Sequence, residues 1–193
     1  EGAPGLVAGI DRGDEIVAIG TDANALTPVS TLMANGGPTA VSDALGPTTA
    51  GVTRTLRISG PSGTRDVTVT KADYTLQPVS ARYGATILNV NGEQIAYLNL
   101  RSFISLADNQ LRTAFQSFRS AGVTKFIVDF RYNGGGLIST ADLMGDLFGA
   151  NRSRSEIWSR LIYRPEKSSS NSTHNFAPTT QSVAPVKVAF IGT

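Results

Sequence analysis

The chain has 193 residues, 40% hydrophobic and 17% charged, with a formal net charge of +2, 20 Gly, 9 Pro and no Cys. It is too apolar and too weakly charged for a disordered chain, and no apolar run approaches the roughly 18 residues that span a bilayer. Absent cysteine excludes disulfide scaffolds, thiolate zinc sites, iron–sulfur clusters and cysteine nucleophiles. Residues 1–72 are expected to form a β-rich module with short helices. It opens with an apolar turn over 3–10 and a turn signal at Asp11-Arg12-Gly13-Asp14, then a strand over 15–19 that stops at Gly20. A helix is expected over 39–45, with Ala40, Val41, Ala44 and Leu45 on one face and Gly46-Pro47 ending it. Two alternating segments, 54–59 and 65–70, are joined by Gly60-Pro61-Ser62-Gly63 and read as a hairpin whose buried face carries Leu56, Ile58, Val67 and Val69.

Residues 73–85 loosen around Pro78 and read as a linker, after which the periodicity changes. A strand over 95–100 precedes a helix over 106–120, where Ala107, Leu111, Ala114, Phe115 and Phe118 form one stripe and Gly122 marks the end. The dense apolar run 125–130 suits a strand covered on both faces. Gly134-Gly135-Gly136 leads into a helix near 140–148, followed by a strand near 156–163, a polar loop over 165–185 and a last strand over 186–191. Strand, helix, strand, helix, strand is the signature of βαβ units. The fold expected is therefore α+β and α/β in character, a partial β-rich module over 1–72 and an α/β core over 86–193. The Ser, Thr and Asn-rich stretch 167–181 is either a functional flap or disordered at this length. Asn151-Arg152-Ser153 and Asn171-Ser172-Thr173 match the short glycosylation acceptor pattern, which matters only in a eukaryotic secretory setting.

The 13 Arg and 4 Lys are scattered from Arg12 to Lys187, with only Arg152, Arg154 and Arg160 clustered. No basic helix or aromatic-interleaved patch accompanies them, so no nucleic-acid partner is expected. The strongest local feature is Asp129-Phe130-Arg131-Tyr132-Asn133-Gly134-Gly135-Gly136, where a buried strand gives way to a helix. Ligands of open α/β sheets bind beyond the carboxyl ends of strands. Three consecutive glycines suit positive φ or close approach to the main chain, and exposed N–H groups there could stabilise an oxyanion or hold a phosphate; a tight strand-to-helix turn would use the same glycines. A dinucleotide fingerprint fails on spacing. Gly134 and Gly136 supply two glycines of G-x-G-x-x-G, but the third position is Ser139, and Glu156 opens a strand instead of closing one. No cofactor and no metal ligand set are expected.

Two segments carry a family resemblance. Ile95-Ala96-Tyr97-Leu98-Asn99-Leu100-Arg101-Ser102-Phe103, with the later Val128-Asp129-Phe130-Arg131-Tyr132-Asn133-Gly134-Gly135-Gly136, resembles the core of the C-terminal processing, or tail-specific, serine peptidases. Ala8-Gly9-Ile10-Asp11-Arg12-Gly13-Asp14-Glu15-Ile16 resembles the Ala-Gly-Leu-x-x-Gly-Asp-x-Ile stretch of the PDZ module that those peptidases carry before the core. The resemblance implies a PDZ-like module over 1–72 lacking its first part, the front of a peptidase core over 86–193, polypeptide substrates with exposed apolar carboxyl-terminal tails, and a site outside the cytoplasm. It implies hydrolysis by a Ser nucleophile and a Lys base, with one oxyanion donor from the glycine loop, Gly135 first and Gly136 next. Asp129 and Arg131 point to the same side of the strand and are expected to form an ion pair that holds the loop.

In that family the Ser follows the strand that here reads 186–191, and the Lys lies beyond it, so both are expected after Thr193. Glu1 in first place fits a processed or cut form, with any targeting signal upstream. No internal residue substitutes for the pair. Ser139 stands where a capping Ser is common, His174 is the single His and has no carboxylate near it in sequence, and Lys125 and Lys187 lie at strand edges. The PDZ helix maps to 39–45, while the loop that holds a peptide carboxylate is expected before Ala3. The alternative reading is a non-catalytic peptide-binding protein on the same scaffold.

Overall fold

The computed structural model describes residues 2–192. The chain divides into two compact units, Glu1–Leu76 and Gln77–Thr193. In the first, a one-turn helix α1 (Pro4–Val7) precedes strand β1 (Glu15–Gly20), the short β2 (Thr27–Pro28), helix α2 (Val29–Leu45), and the hairpin β3 (Thr53–Gly60) and β4 (Gly63–Thr70). The sheet runs β2-β1-β3-β4, all antiparallel. Leu56 pairs with Val67, and Ile19, Leu56 and Ile58 form a core covered by Val29, Leu32, Val41, Ala44 and Leu45 of α2.

Helix α2 starts ten residues before the expected 39–45, because it is two helical stretches separated at Gly37 (φ 62, ψ −153). The following Pro38 disfavours helical backbone at the residue before it, so the sequence showed only the second stretch. At its carboxyl end Arg54 Nε donates to Ala44 O at 2.8 Å, and Lys71 Nζ donates to Gly46 O at 2.9 Å and Pro47 O at 2.6 Å. Two cations thus meet the carbonyl-rich, partly negative end of the helix.

The second unit contains β5 (Ala85–Val90), β6 (Glu93–Asn99), α3 (Leu106–Ser120), β7 (Lys125–Asp129), α4 (Ile138–Phe148), β8 (Ile157–Leu161), a 3-10 turn (Pro165–Ser170), β9 (Ser172–Asn175) and β10 (Lys187–Ile191). Its main sheet has the order β10-β7-β6-β5, with β10, β7 and β6 parallel and β5 antiparallel. Both crossovers, β6 to β7 and β7 to β10, step in the same direction, and right-handed connections then place α3 and α4 on one face. Their meeting is visible in the Phe115 and Phe148 rings, 4.8 Å apart and nearly perpendicular. Phe126 of β7 stands between them and Phe118, 5.3 Å from Phe148 and 5.9 Å from Phe118, both edge to face.

The stripe expected for α3 is the buried one, Ala107, Leu111, Ala114, Phe115 and Phe118. Its carboxyl end closes with Gly122 N donating to Arg119 O and Val123 N to Phe118 O, a Schellman arrangement that buries Val123 against Phe118. Residues 78–84, inside the expected linker 73–85, pack on this unit: Val79 N donates to Gln110 Oε1 at 2.9 Å and Ser80 is buried.

Three expectations change. Strand β5 was missed, although its turn Asn91 (φ 52) and Gly92 (φ 82) is the Asn-Gly hairpin signal. The strand expected near 156–163 is β8, but it leaves the main sheet to pair with β9, and β10 takes the place beside β7. The stretch 167–181 contains regular structure. It holds most of the 3-10 turn and all of β9, whose Ser, Thr, His and Asn show no apolar alternation because the hairpin is fixed by polar contacts to α4.

The hairpin also seats Trp158 directly on Gly145 of α4, where a Cβ would overlap the indole ring, with the tilted Phe176 ring 5.5 Å away. Gly145→Ala gains helix propensity of about 1 kcal/mol but displaces a rigid ring. Because Trp158 is the single Trp of the chain, its fluorescence should shift to the red in Gly145→Ala while far-UV circular dichroism stays that of the parent. An unshifted spectrum would show that the hairpin does not rest on α4 through this contact.

Candidate active site

Strand β7 ends in Asp129, a fully buried carboxylate. It accepts from the Arg131 backbone N at 2.9 Å, from Arg131 Nη2 at 2.6 Å and from the Tyr97 hydroxyl at 2.6 Å. The neighbouring Asn99, also fully buried, donates its Nδ2 to Asp129 O at 3.0 Å. The Arg131 hydrogen bonds hold the Asp129 carboxyl far below the usual carboxylate range, outweighing burial, which acts the other way, with help from Tyr97. Arg131 is raised correspondingly by the same contact. The expected pairing of Asp129 and Arg131 is present, and it turns the chain sharply just past the strand.

The loop that follows is built on backbone conformations rarely taken by L residues. Tyr132 has φ 65, Gly135 φ 95 and Gly136 φ 140. Asn133 N donates to Phe130 O, and its side chain makes two bonds, Nδ2 to Leu100 O at 2.9 Å and Oδ1 from Gly135 N at 2.7 Å. Phe103 forms a parallel bridge with Gly136, its N–H donating to Gly135 O and its C=O accepting from Leu137 N. A side chain at Gly136 would overlap the Phe103 carbonyl, so only glycine allows this approach.

Helix α4 starts immediately after, with Leu137 in the N-cap position and no side-chain cap. Among the described residues, Gly134 and Gly136 N–H have no protein acceptor, and Gly134–Gly136 are exposed. An apolar rim surrounds them. The Phe130 ring lies 5.6 Å from Phe103 and stacks 5.9 Å from Phe190, and Tyr132, Leu137, Ile138 and Phe190 are all exposed.

The other candidate residues lie apart. Ser139 is exposed in the first turn of α4 and makes no capping bond, since the chain enters the helix at Leu137. Lys125 pairs with Glu93 at 2.6 Å and Lys187 opens the edge strand β10. Glu156 accepts from Ser153 N and pairs with Arg152 outside the main sheet, with no approach to a nucleotide site. His174 does have carboxylate neighbours, Asp146 and Asp142, 28 and 32 residues away and invisible to sequence spacing. Its Nε2 lies 3.1 Å from Asp146 Oδ1 and its Nδ1 3.9 Å from Asp142 Oδ2. Ser159 Oγ donates to Asp142 Oδ1 at 2.8 Å and Ala177 N to Asp146 Oδ1 at 2.7 Å, so these groups fasten the hairpin to α4. Among the described residues no three His, Asp or Glu side chains are placed to hold a metal ion.

Helices on one face of a mostly parallel sheet, with backbone donors displayed at its carboxyl edge, define an α/β core of the kind on which hydrolytic sites are built. The sequence match is more particular: residues 94–188, within the second unit, match the model of peptidase family S41. A protein of Bacteroides fragilis NCTC 9343 named for the S41 protease family matches over all of this chain and 50% of its own, with 22% identity and a TM-score of 0.68. A photosystem II D1 C-terminal processing protease matches over 98% of this chain and 47% of its own, with 21% identity and a TM-score of 0.51. At these identities the likeness is one of fold, and the chain spans about half the length of either protein. No curated protein matches the chain.

The depressed Asp129 carboxyl fixes a pH dependence. Its stabilising contribution is fully present above the unfolded value of about 4 and is lost as pH falls toward the folded value. Asp129→Asn should therefore lower stability by about 1–3 kcal/mol at neutral pH, with the gap to the parent narrowing below about pH 4 in urea titrations. A gap independent of pH would mean that the charge is not what holds the loop.

Proposed function

We propose that the chain is the PDZ-bearing and front-core portion of a serine endopeptidase that captures apolar carboxyl-terminal tails of polypeptides and cleaves them outside the cytoplasm. The observation that carries this reading is the glycine loop at the carboxyl end of β7, inside the segment that matches peptidase family S41. In the proposed step a Ser oxygen supplied by chain beyond Thr193 adds to a peptide carbonyl carbon. A Lys beyond Thr193, kept neutral by desolvation, takes the hydroxyl proton and gives it to the amine nitrogen as the peptide C–N bond breaks; water, deprotonated by the same Lys, then hydrolyses the acyl ester and the proton returns to the Ser oxygen. The carbonyl oxygen becomes the oxyanion, with a backbone N–H of the glycine loop as its donor. One such donor is commonly worth about a hundredfold or more in kcat.

The first unit supports the tail-capture reading with its antiparallel sheet and the helix α2 packed on it. A peptide added to such a module extends the sheet and has its carboxylate held by backbone N–H groups. Helix α2 includes the expected 39–45.

The test is a protein continuing past Thr193. It should cleave an unfolded polypeptide with an apolar tail, lose cleavage when the first Ser after β10 becomes Ala, and cut less when the tail is amidated. Saturable tail binding without cleavage would replace this reading with the non-catalytic one. The 193-residue chain by itself should show no proteolysis, and turnover by the purified chain would overturn the placement of the nucleophile.

A further inference from the structure

Three consecutive glycines offer three N–H groups, and the loop treats each differently. In the rung at Phe103, Gly135 O and Leu137 N both face the Phe103 backbone. The N–H of the intervening Gly136 has no protein acceptor among the described residues, and Gly136 is exposed. The bonds on either side hold that peptide in place, and preorganisation of this kind is what a donor needs to favour a transient anion. Gly135 N–H is already taken by Asn133 Oδ1 at 2.7 Å. Gly134 N–H lies within the turn that this bond closes and has no rung to orient it.

Asn133 links the two halves of the arrangement. Its Nδ2 donates to Leu100 O at the end of β6, while its Oδ1 restrains Gly135, the residue before that donor. An aliphatic residue could do neither, and a carboxylate could accept from Gly135 but not donate to Leu100. We propose that Asn133 is a positioning residue of this site: by holding Gly135 N–H against the end of β6 it leaves Gly136 N–H as the donor that meets the oxyanion. This inference rests on the peptidase reading above.

Two measurements separate them. In the 193-residue chain, amide exchange followed by NMR should show Gly135 N–H protected and Gly136 N–H fast, and Asn133→Ala should release Gly135 to exchange as fast as Gly136. In the protein continuing past Thr193, Asn133→Ala should lower kcat about 10- to 100-fold, as expected for a misplaced catalytic group, with KM changed by less than about threefold, because only the transition state carries the anion. A fast Gly135 amide in the parent chain, or an Asn133→Ala enzyme with parental kcat, overturns the proposal. If the longer protein does not cleave at all, the peptidase reading fails, and the exchange pattern alone decides whether Asn133 holds the loop as described.

Discussion

The second unit turns on the fully buried carboxylate of Asp129. Asp129 stands at the last position of β7 with no exposure to solvent, where a charge is costly unless its oxygens are paired. Arg131, two residues on, pairs it through its guanidinium and its own backbone N–H, and Tyr97 reaches over from the neighbouring strand. That requirement fixes the direction in which the chain leaves the sheet. Everything after it follows: the left-handed Tyr132, the Asn133 clasp, and the glycines laid against Phe103. The aromatic cluster of Phe115, Phe118, Phe126 and Phe148 packs beneath, but it is the ionic corner that aims the loop.

The parts of this structure visible in the sequence are those governed by local periodicity. The stripe of α3 could be read because five apolar residues recur at helical spacing and every one is buried. The β3–β4 hairpin could be read for the analogous reason at a period of two. Reading failed where distant polar groups decide the outcome. Strand β9 contains only Ser, Thr, His and Asn, and it is a strand because His174 finds Asp146 and because β8 is already docked on α4. Helix α2 was half seen because Gly37 and Pro38 interrupt its pattern while leaving Val29 and Leu32 packed on the sheet.

The loop itself was only half legible. Three glycines after a buried strand marked the place, and Asp129 with Arg131 suggested the ion pair. Nothing in the spacing separates Gly135 from Gly136, since that difference comes from Phe103, more than thirty positions earlier in the chain, and from the side chain of Asn133.

The placing of β10 has a consequence for how freely the chain between it and α4 can change. Phe126 pairs with Ala96 on one side and with Val188 on the other, the second link closing a loop of about twice the sequence separation. Doubling a closed loop adds only about 0.6 kcal/mol of entropy. The segment carrying β8 and β9 therefore weighs little on the sheet whatever its length, provided Lys187–Ile191 can still reach β7. Residues added at the turn of that hairpin cost little in closure entropy, whereas a single residue added between Asp129 and Gly136 would break the register of the Phe103 rung. Within one small sheet, one connection tolerates a change of length and the other does not.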